Sequence, residues 1–175
     1  MERDELAKKY GIDTGKLERE QDKFAKLLVI KDGTDFNLSD KFGAINSIFV
    51  KNKIISSIIV CNKNSEIIDR AYSCEKVTFP YIPGFRAYRE LPAMISAFDK
   101  LNEKPDVIFV SGQGITHPKL GLASHLSLSI GIPCIGISDS IRDCEINGED
   151  IIKNGKKIGK VLLTKKESKP LYVSP

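Results

Sequence analysis

The chain of 175 residues is long enough for one domain with a real core, and 41% hydrophobic with 29% charged residues is an ordinary globular balance. No apolar run is long enough to span a bilayer, and the opening "MERDELAKKY" lacks the pattern of a secretory leader, so a cytoplasmic location is the expectation. The net charge of +4 permits a nucleic-acid partner without demanding one. The four cysteines (Cys61, Cys74, Cys134, Cys144) show no CxxC spacing, which argues against a zinc site and for free buried thiols, with a Cys134–Cys144 bridge as the alternative.

Residues 1–30 read as helical, with Thr14 as a cap and Leu17, Phe24, Leu27 and Leu28 near helical spacing. "DGTDFNLSDKF" is expected to be a loop. Three strand-like runs follow, "AINSIFV", "KIISSIIVCN" and "AYSCEKVTF". Short polar links at 51–52 and 63–66 join them and favour an antiparallel meander. Leu91, Met94, Ile95, Phe98 and Leu101 then fall at helical intervals, with Pro92 suited to the first position of that helix, where its missing N–H costs nothing. "PDVIFV" and "IPCIGI" are continuous apolar runs of the kind found in strands covered on both faces. Between them lie a glycine loop, "SGQGITHPKLG", and a second helix with Leu122, Leu126 and Ile130 on one side. The tail carries a hairpin signal at Asn154-Gly155 and closes on "PLYVSP". This order predicts a single α/β domain over 1–175 with a mixed sheet: N-terminal helices in 1–30, a core sheet over 43–137 and a small β segment over 138–175.

In such sheets ligands collect at the carboxyl ends of strands. The residues that reach those ends are Asn46, Ser111 and the pair Ser138-Asp139. Glu90 approaches from a short helical segment before Pro92, His117 sits in the glycine loop and His125 on the helix after it. Arg86 and Arg89 add local positive charge. Lys153, Lys156, Lys157, Lys160, Lys165 and Lys166 crowd the tail, a pattern more often a solvated face than a binding site.

"FPYIPGFRAYRELPA", "PDVIFVSGQGITHPKLGLASH", "IPCIGI" and "PLYVSP", in this order and spacing, resemble the endonuclease V family over roughly Leu17 to Pro175. The resemblance implies an RNase H-like fold and cleavage of DNA or RNA near deaminated bases, notably inosine. It also implies that Pro80-Tyr81-Ile82-Pro83 is a wedge that probes the lesion, followed by Gly84 and Arg86 on the nucleic-acid side. Prolines lower the entropy lost when such a segment is ordered, and an aromatic–apolar pair can replace a displaced base's stacking partner. Spacing alone favours a rigid turn with Tyr81 and Ile82 packed inward; the resemblance favours the wedge. Gly112, Gly114 and His125 are further nucleic-acid-side candidates, although the glycines equally suit a sharp turn and His125 a packed helix position. Phe49 could stack near a base but is more often core. Members of the family continue past "VSP" into a Gly-His-Arg-like segment and a terminal helix. A face which that helix covers is therefore expected to be exposed here, or covered by another chain.

The family's chemistry uses two divalent cations, Mg²⁺ or Mn²⁺, held by acidic oxygens. The resemblance places an aspartate on the first strand, a glutamate after the wedge, an aspartate at the end of the fourth strand and a histidine in the glycine loop. This chain keeps Glu90 and His117, but Asn46 and Ser111 stand at the two aspartate positions. Gln113 takes a position that is often histidine, and Asp139 falls where the family has a lysine. Glu90 alone supplies one negative charge against the +4 of two cations; beside Arg89 it could instead be half of an ion pair. Relocation of a ligand to Asp139, with Asp143 and Glu145 nearby, is the competing reading; loss is favoured because two matched acids are gone and one new one lies close. His117 could hydrogen-bond backbone in a tight loop as readily as serve catalysis. The expectations are a nucleic-acid-binding relative with weak or lost hydrolysis, an active endonuclease using Glu90 and Asp139, or a protein-interaction module.

Overall fold

Two short helices open the chain, α1 (Arg3–Lys9) and α2 (Thr14–Ala25), separated by Gly11 in the left-handed region. The structure, a computed structural model, describes residues 3–30 and 35–175. Met1 and Glu2 of the expected helix, and part of the "DGTDFNLSDKF" loop, lie outside the described residues. The cap of α2 is Asp13 rather than Thr14: its Oδ1 accepts the Lys16 N–H at 2.9 Å, satisfying one of the donors a helix start leaves free. Leu27 and Leu28 fall beyond the end of α2, and Leu27 is exposed.

The meander comprises β1 (Lys41–Val50), β2 (Lys53–Asn62) and β3 (Ile67–Lys76), paired antiparallel. β1 starts three residues earlier than its apolar run, because Lys41 and Phe42 still find partners in Asn62 and Cys61. β3 also starts earlier, at Ile67, and ends before Phe79. Alternation is strict in β1, where Gly43, Ile45 and Ser47 are buried and Ala44, Asn46 and Ile48 are exposed. The buried serines are satisfied: Ser47 and Ser56 share a hydrogen bond at 2.7 Å, and Ser73 donates to the Ala93 carbonyl at 2.7 Å.

The long helix α3 spans Arg86–Asp99, and Pro92 lies inside it rather than at its start. A proline there removes one backbone hydrogen bond. The buried stripe of Ala87, Glu90, Leu91, Met94, Ala97 and Phe98 runs through the proline, so burial of that face outweighs the lost bond. β4 (Val107–Ser111), α4 (Leu122–Ile130) and β5 (Cys134–Ser138) complete the expected strand–helix–strand order. Gly131 ends α4 in the left-handed conformation, its N–H bonded to the Ser127 carbonyl.

β6 (Glu145–Asn147), β7 (Asp150–Lys153), β8 (Lys156–Leu162) and β9 (Leu171–Ser174) join the same sheet. Its order is β3-β2-β1-β4-β5-β9-β8-β7-β6, with β1–β4 and β4–β5 parallel and the remaining pairs antiparallel. Asn154 and Gly155 both have positive φ, as a two-residue hairpin turn of the primed kind requires. α3 and α4 cover one face of the central strands, burying Ile45, Ile58, Val60, Ile108, Val110, Met94 and Leu126 in the main core. The opposite face carries exposed Ile48 and Ile59, with a depression lined by Ala44, Asn46, Phe109 and Ile137. The four thiols are free; Cys134 is buried and its pKa is pushed up to about 12 by desolvation, whereas Cys74 is exposed. No helix among the described residues is long and apolar enough to cross a membrane.

Candidate functional site

The parallel pairing of β1, β4 and β5 lines up three carboxyl strand ends. The register Ile45↔Val110 sets Asn46 beside Ser111, and Ser111↔Ile137 sets Ser111 beside β5. A cleft of about 800 Å³ opens there, walled by the 81–86 turn, the glycine loop and residues 137–142. Ser111 and Ile137 also line the depression that holds Asn46, so the two hollows share an edge.

The "PYIP" turn divides its central pair. Ile82 is 1% exposed and packs with Ala7 and Phe85 in a satellite core under α1 and α2, whereas Tyr81 is 60% exposed. Pro80 and Pro83 are half-buried on either side. Gly84 has φ +86, which an L side chain resists, and its carbonyl accepts from Gln21 Nε2 at 3.0 Å. α2 therefore fastens the base of the turn. The Arg89 guanidinium lies 4.1 Å from the Phe49 ring centre and 6.0 Å from that of Tyr81, so Phe49, Arg89 and Tyr81 form a stacked row at the surface.

Glu90 is 2% exposed, and its partner is Arg86 rather than Arg89. Arg86 lies one helical turn back on the same face and holds both carboxylate oxygens, Nε to Oε1 at 2.5 Å and Nη2 to Oε2 at 3.1 Å.

The glycine loop is tied down from several sides. Gly112 N–H donates to the Ile137 carbonyl at 2.9 Å, and Gln113 Nε2 to that of Ser140 at 3.0 Å. A Cβ on Gly114 would lie 1.9 Å from the Pro175 carbonyl oxygen, to which Ile115 N–H donates at 2.7 Å. Gly114 thus makes room for the end of β9, not for a ligand. His117 Nδ1 accepts the Lys119 N–H at 3.1 Å, and Lys153 Nζ donates to the His117 carbonyl at 2.7 Å. Burial, then the charges of Lys153 and Arg142, lowers the His117 pKa to about 4, so the ring is neutral near pH 7. His125 does not reach the cleft. It is buried between Phe24 and Tyr88, with ring centres at 5.2 and 5.5 Å, and burial lowers its pKa.

Asp139 is exposed and lines the cleft with Ser111. Lys119 and Arg142 line it too, although neither belongs to a basic run in the sequence, and Lys119 Nζ donates to both Asp22 oxygens at 2.9 and 2.8 Å. Of the tail lysines, Lys157 and Lys160 pair with Asp150 on the far strands.

The donor set does not fit a pair of divalent cations. Asn46 is neutral, and its Oδ1 already accepts the Ser47 N–H at 2.8 Å. Ser111 offers only a hydroxyl, and both oxygens of Glu90 are taken by Arg86. No group of three or more His, Cys, Asp or Glu side chains able to hold a metal occurs among the described residues.

A mixed sheet with helices on one face and a cleft at its parallel strand ends is the RNase H-like architecture. The family model described as Endonuclease V matches residues 22–175. This chain belongs to the endonuclease V family. An endonuclease V of Thermosipho melanesiensis is 39% identical over 136 residues, 73% of this chain and 60% of that protein. One from Protochlamydia amoebophila is 36% identical over 169 residues, 88% of this chain and 71% of that protein. The chain spans between 53% and 60% of the length of the curated relatives from Trichormus variabilis and T. melanesiensis. Among solved structures, the Bacillus subtilis endonuclease V superposes with a TM-score of 0.82 at 25% identity, covering 93% of this chain and 76% of that one. A Ciona intestinalis endonuclease V, solved with a 24mer DNA containing an inosine followed by a ribo-adenosine, shares the fold at a TM-score of 0.80 and 19% identity, covering 92% and 82%.

Proposed function

We propose that this chain binds deaminated, inosine-containing or structured DNA or RNA through the Tyr81 turn and the adjoining cleft, with weak or no phosphodiester hydrolysis. The observation that carries the second half is the neutral pair Asn46–Ser111 at the strand ends, together with a Glu90 on α3 that is already paired with Arg86. Two cations carry more charge than this donor set can balance, so Mg²⁺ or Mn²⁺ is held weakly at most.

Binding rests on different residues. An exposed ring on a turn stiffened by two prolines loses little freedom when a base stacks on it. The Arg89 guanidinium lies 6.0 Å from the Tyr81 ring centre, within reach of a cation–π contact. Arg142 lines the cleft, where it meets a phosphate backbone; Lys119 and Arg86 line it too, but Lys119 is paired with Asp22 and Arg86 with Glu90. Ile82 anchors the turn from below, which makes Tyr81 the probing member of the pair.

The test is incubation with inosine-containing and matched inosine-free DNA and RNA strands, with Mg²⁺ or Mn²⁺. Binding without cleavage, weakened by Tyr81→Ala and by salt, is the expected result. Metal-dependent cleavage that vanishes in Glu90→Gln overturns it. It would support an active enzyme with relocated ligands, a reading favoured by Asp139 facing the same cleft as Ser111. Absence of binding at low salt favours a protein-interaction module instead.

A further inference from the structure

We infer that Arg86 is a built-in cation, occupying the charge-balancing role at Glu90 and thereby excluding divalent metal from the strand-end centre. This deepens the proposal of weak or lost hydrolysis and rests on it, but it concerns a different residue and a different measurement.

The Glu90 side chain is 3% exposed, and an ionised carboxylate removed from water needs a cation or several donors. In a metal centre that compensation comes from outside the chain. Here it comes from four residues back on the same helix. The contact is two-pronged, so each carboxylate oxygen already accepts one charge-assisted hydrogen bond, and a metal would have to approach a carboxylate whose charge Arg86 balances.

The position of the guanidinium supports the same reading. A Cβ built on Gly112 would lie 3.4 Å from Arg86 Nη1, so the head group sits between Glu90 on α3 and the end of β4, immediately after Ser111. A cation shared between the helix carboxylate and the strand end would need that space. Mg²⁺ and Mn²⁺ must also shed water and gather oxygens at close to octahedral angles, and a fixed positive charge in the space repels them. The Arg86 side chain is 44% exposed, so it reaches the site from the solvent side and could swing out if a cation outcompeted it.

Restoring acids at positions 46 and 111 is then insufficient by itself, because the resident guanidinium remains. The experiment is Mn²⁺ titration, followed by calorimetry and by paramagnetic resonance of the free ion, on the parent and four variants. The parent and Glu90→Gln are expected to bind Mn²⁺ equally weakly. Arg86→Met is expected to bind about tenfold more tightly or better, with a melting temperature raised by Mn²⁺. Arg86→Met with Glu90→Gln should lose that gain. Should Arg86→Met fail to fold without metal, Asn46→Asp with Ser111→Asp decides the matter. With Arg86 present it is expected to stay within about tenfold of the parent. Tight Mn²⁺ binding there, or binding by the parent that disappears in Glu90→Gln, overturns the inference, as does a folded Arg86→Met with no gain. None of these outcomes depends on cleavage or on nucleic-acid binding, so the failure of the functional proposal and of this one are told apart.

Discussion

Splitting Tyr81 from Ile82 by mutation separates recognition from scaffolding within four residues. Ile82→Ala removes a side chain that is 1% exposed and packed against Ala7 and Phe85. Large-to-small substitution of a buried isoleucine costs about 2–5 kcal/mol, depending on how far the site collapses. A small satellite core under short helices relaxes more readily than the main core, which points to the lower part, about 3 kcal/mol. For a chain of this size that lowers Tm by roughly 6–12 °C. Tyr81→Ala removes a ring that is 60% exposed and touches little besides Arg89, so Tm should move by less than about 2 °C. Its effect falls on binding instead, where loss of one stacked base costs about 1–3 kcal/mol, or roughly 5- to 150-fold in Kd. Thermal melting and fluorescence anisotropy on an inosine-containing strand read the two quantities separately. An Ile82→Ala variant with unchanged Tm, or a Tyr81→Ala variant that melts as early as Ile82→Ala, would refute the division.

Other expectations follow from the loop and cleft. His117 has a folded pKa of about 4 against 6.5, so the unfolded chain takes up its proton first. Stability should therefore be fully present above about pH 6.5 and fall by on the order of 1–3 kcal/mol as pH drops toward 4, with His125 acting in the same direction. His117→Asn should flatten that slope in denaturant titrations at several pH values. Arg142→Ala should weaken strand binding whatever the base and reduce the magnitude of the salt-dependence slope by about 1, measured by anisotropy across a salt series. Gly114→Ala drives a methyl group into the Pro175 carbonyl and should cost about 1–3 kcal/mol in a denaturant melt, because moving that oxygen aside breaks its hydrogen bond from the Ile115 N–H.

Local pattern was enough for most of the scaffold. Strand-like runs joined by short links marked β1 and β2, Asn154-Gly155 marked the tail turn, and the spaced motifs around Pro80, Gly112 and Pro133 carried the family. It also exposed the missing acids at positions 46 and 111, since a charge count needs no coordinates. It misplaced the start of α3, because a proline at the head of a helix and one inside it look alike until the buried stripe on both sides is known. Three matters were decided only by the fold. Ile82 and Tyr81 are neighbours of similar bulk in the chain, yet α1 and α2 cover one and not the other. Glu90 touches Arg89 in sequence but pairs with Arg86, because a helix brings residues four apart onto one face and sends adjacent ones a hundred degrees away. Lys119 and Arg142 meet at one cleft only once β4 and β5 lie side by side. Such contacts between distant residues leave no local signature, which is why composition and spacing could name the scaffold while the charge arrangement within it had to be seen folded.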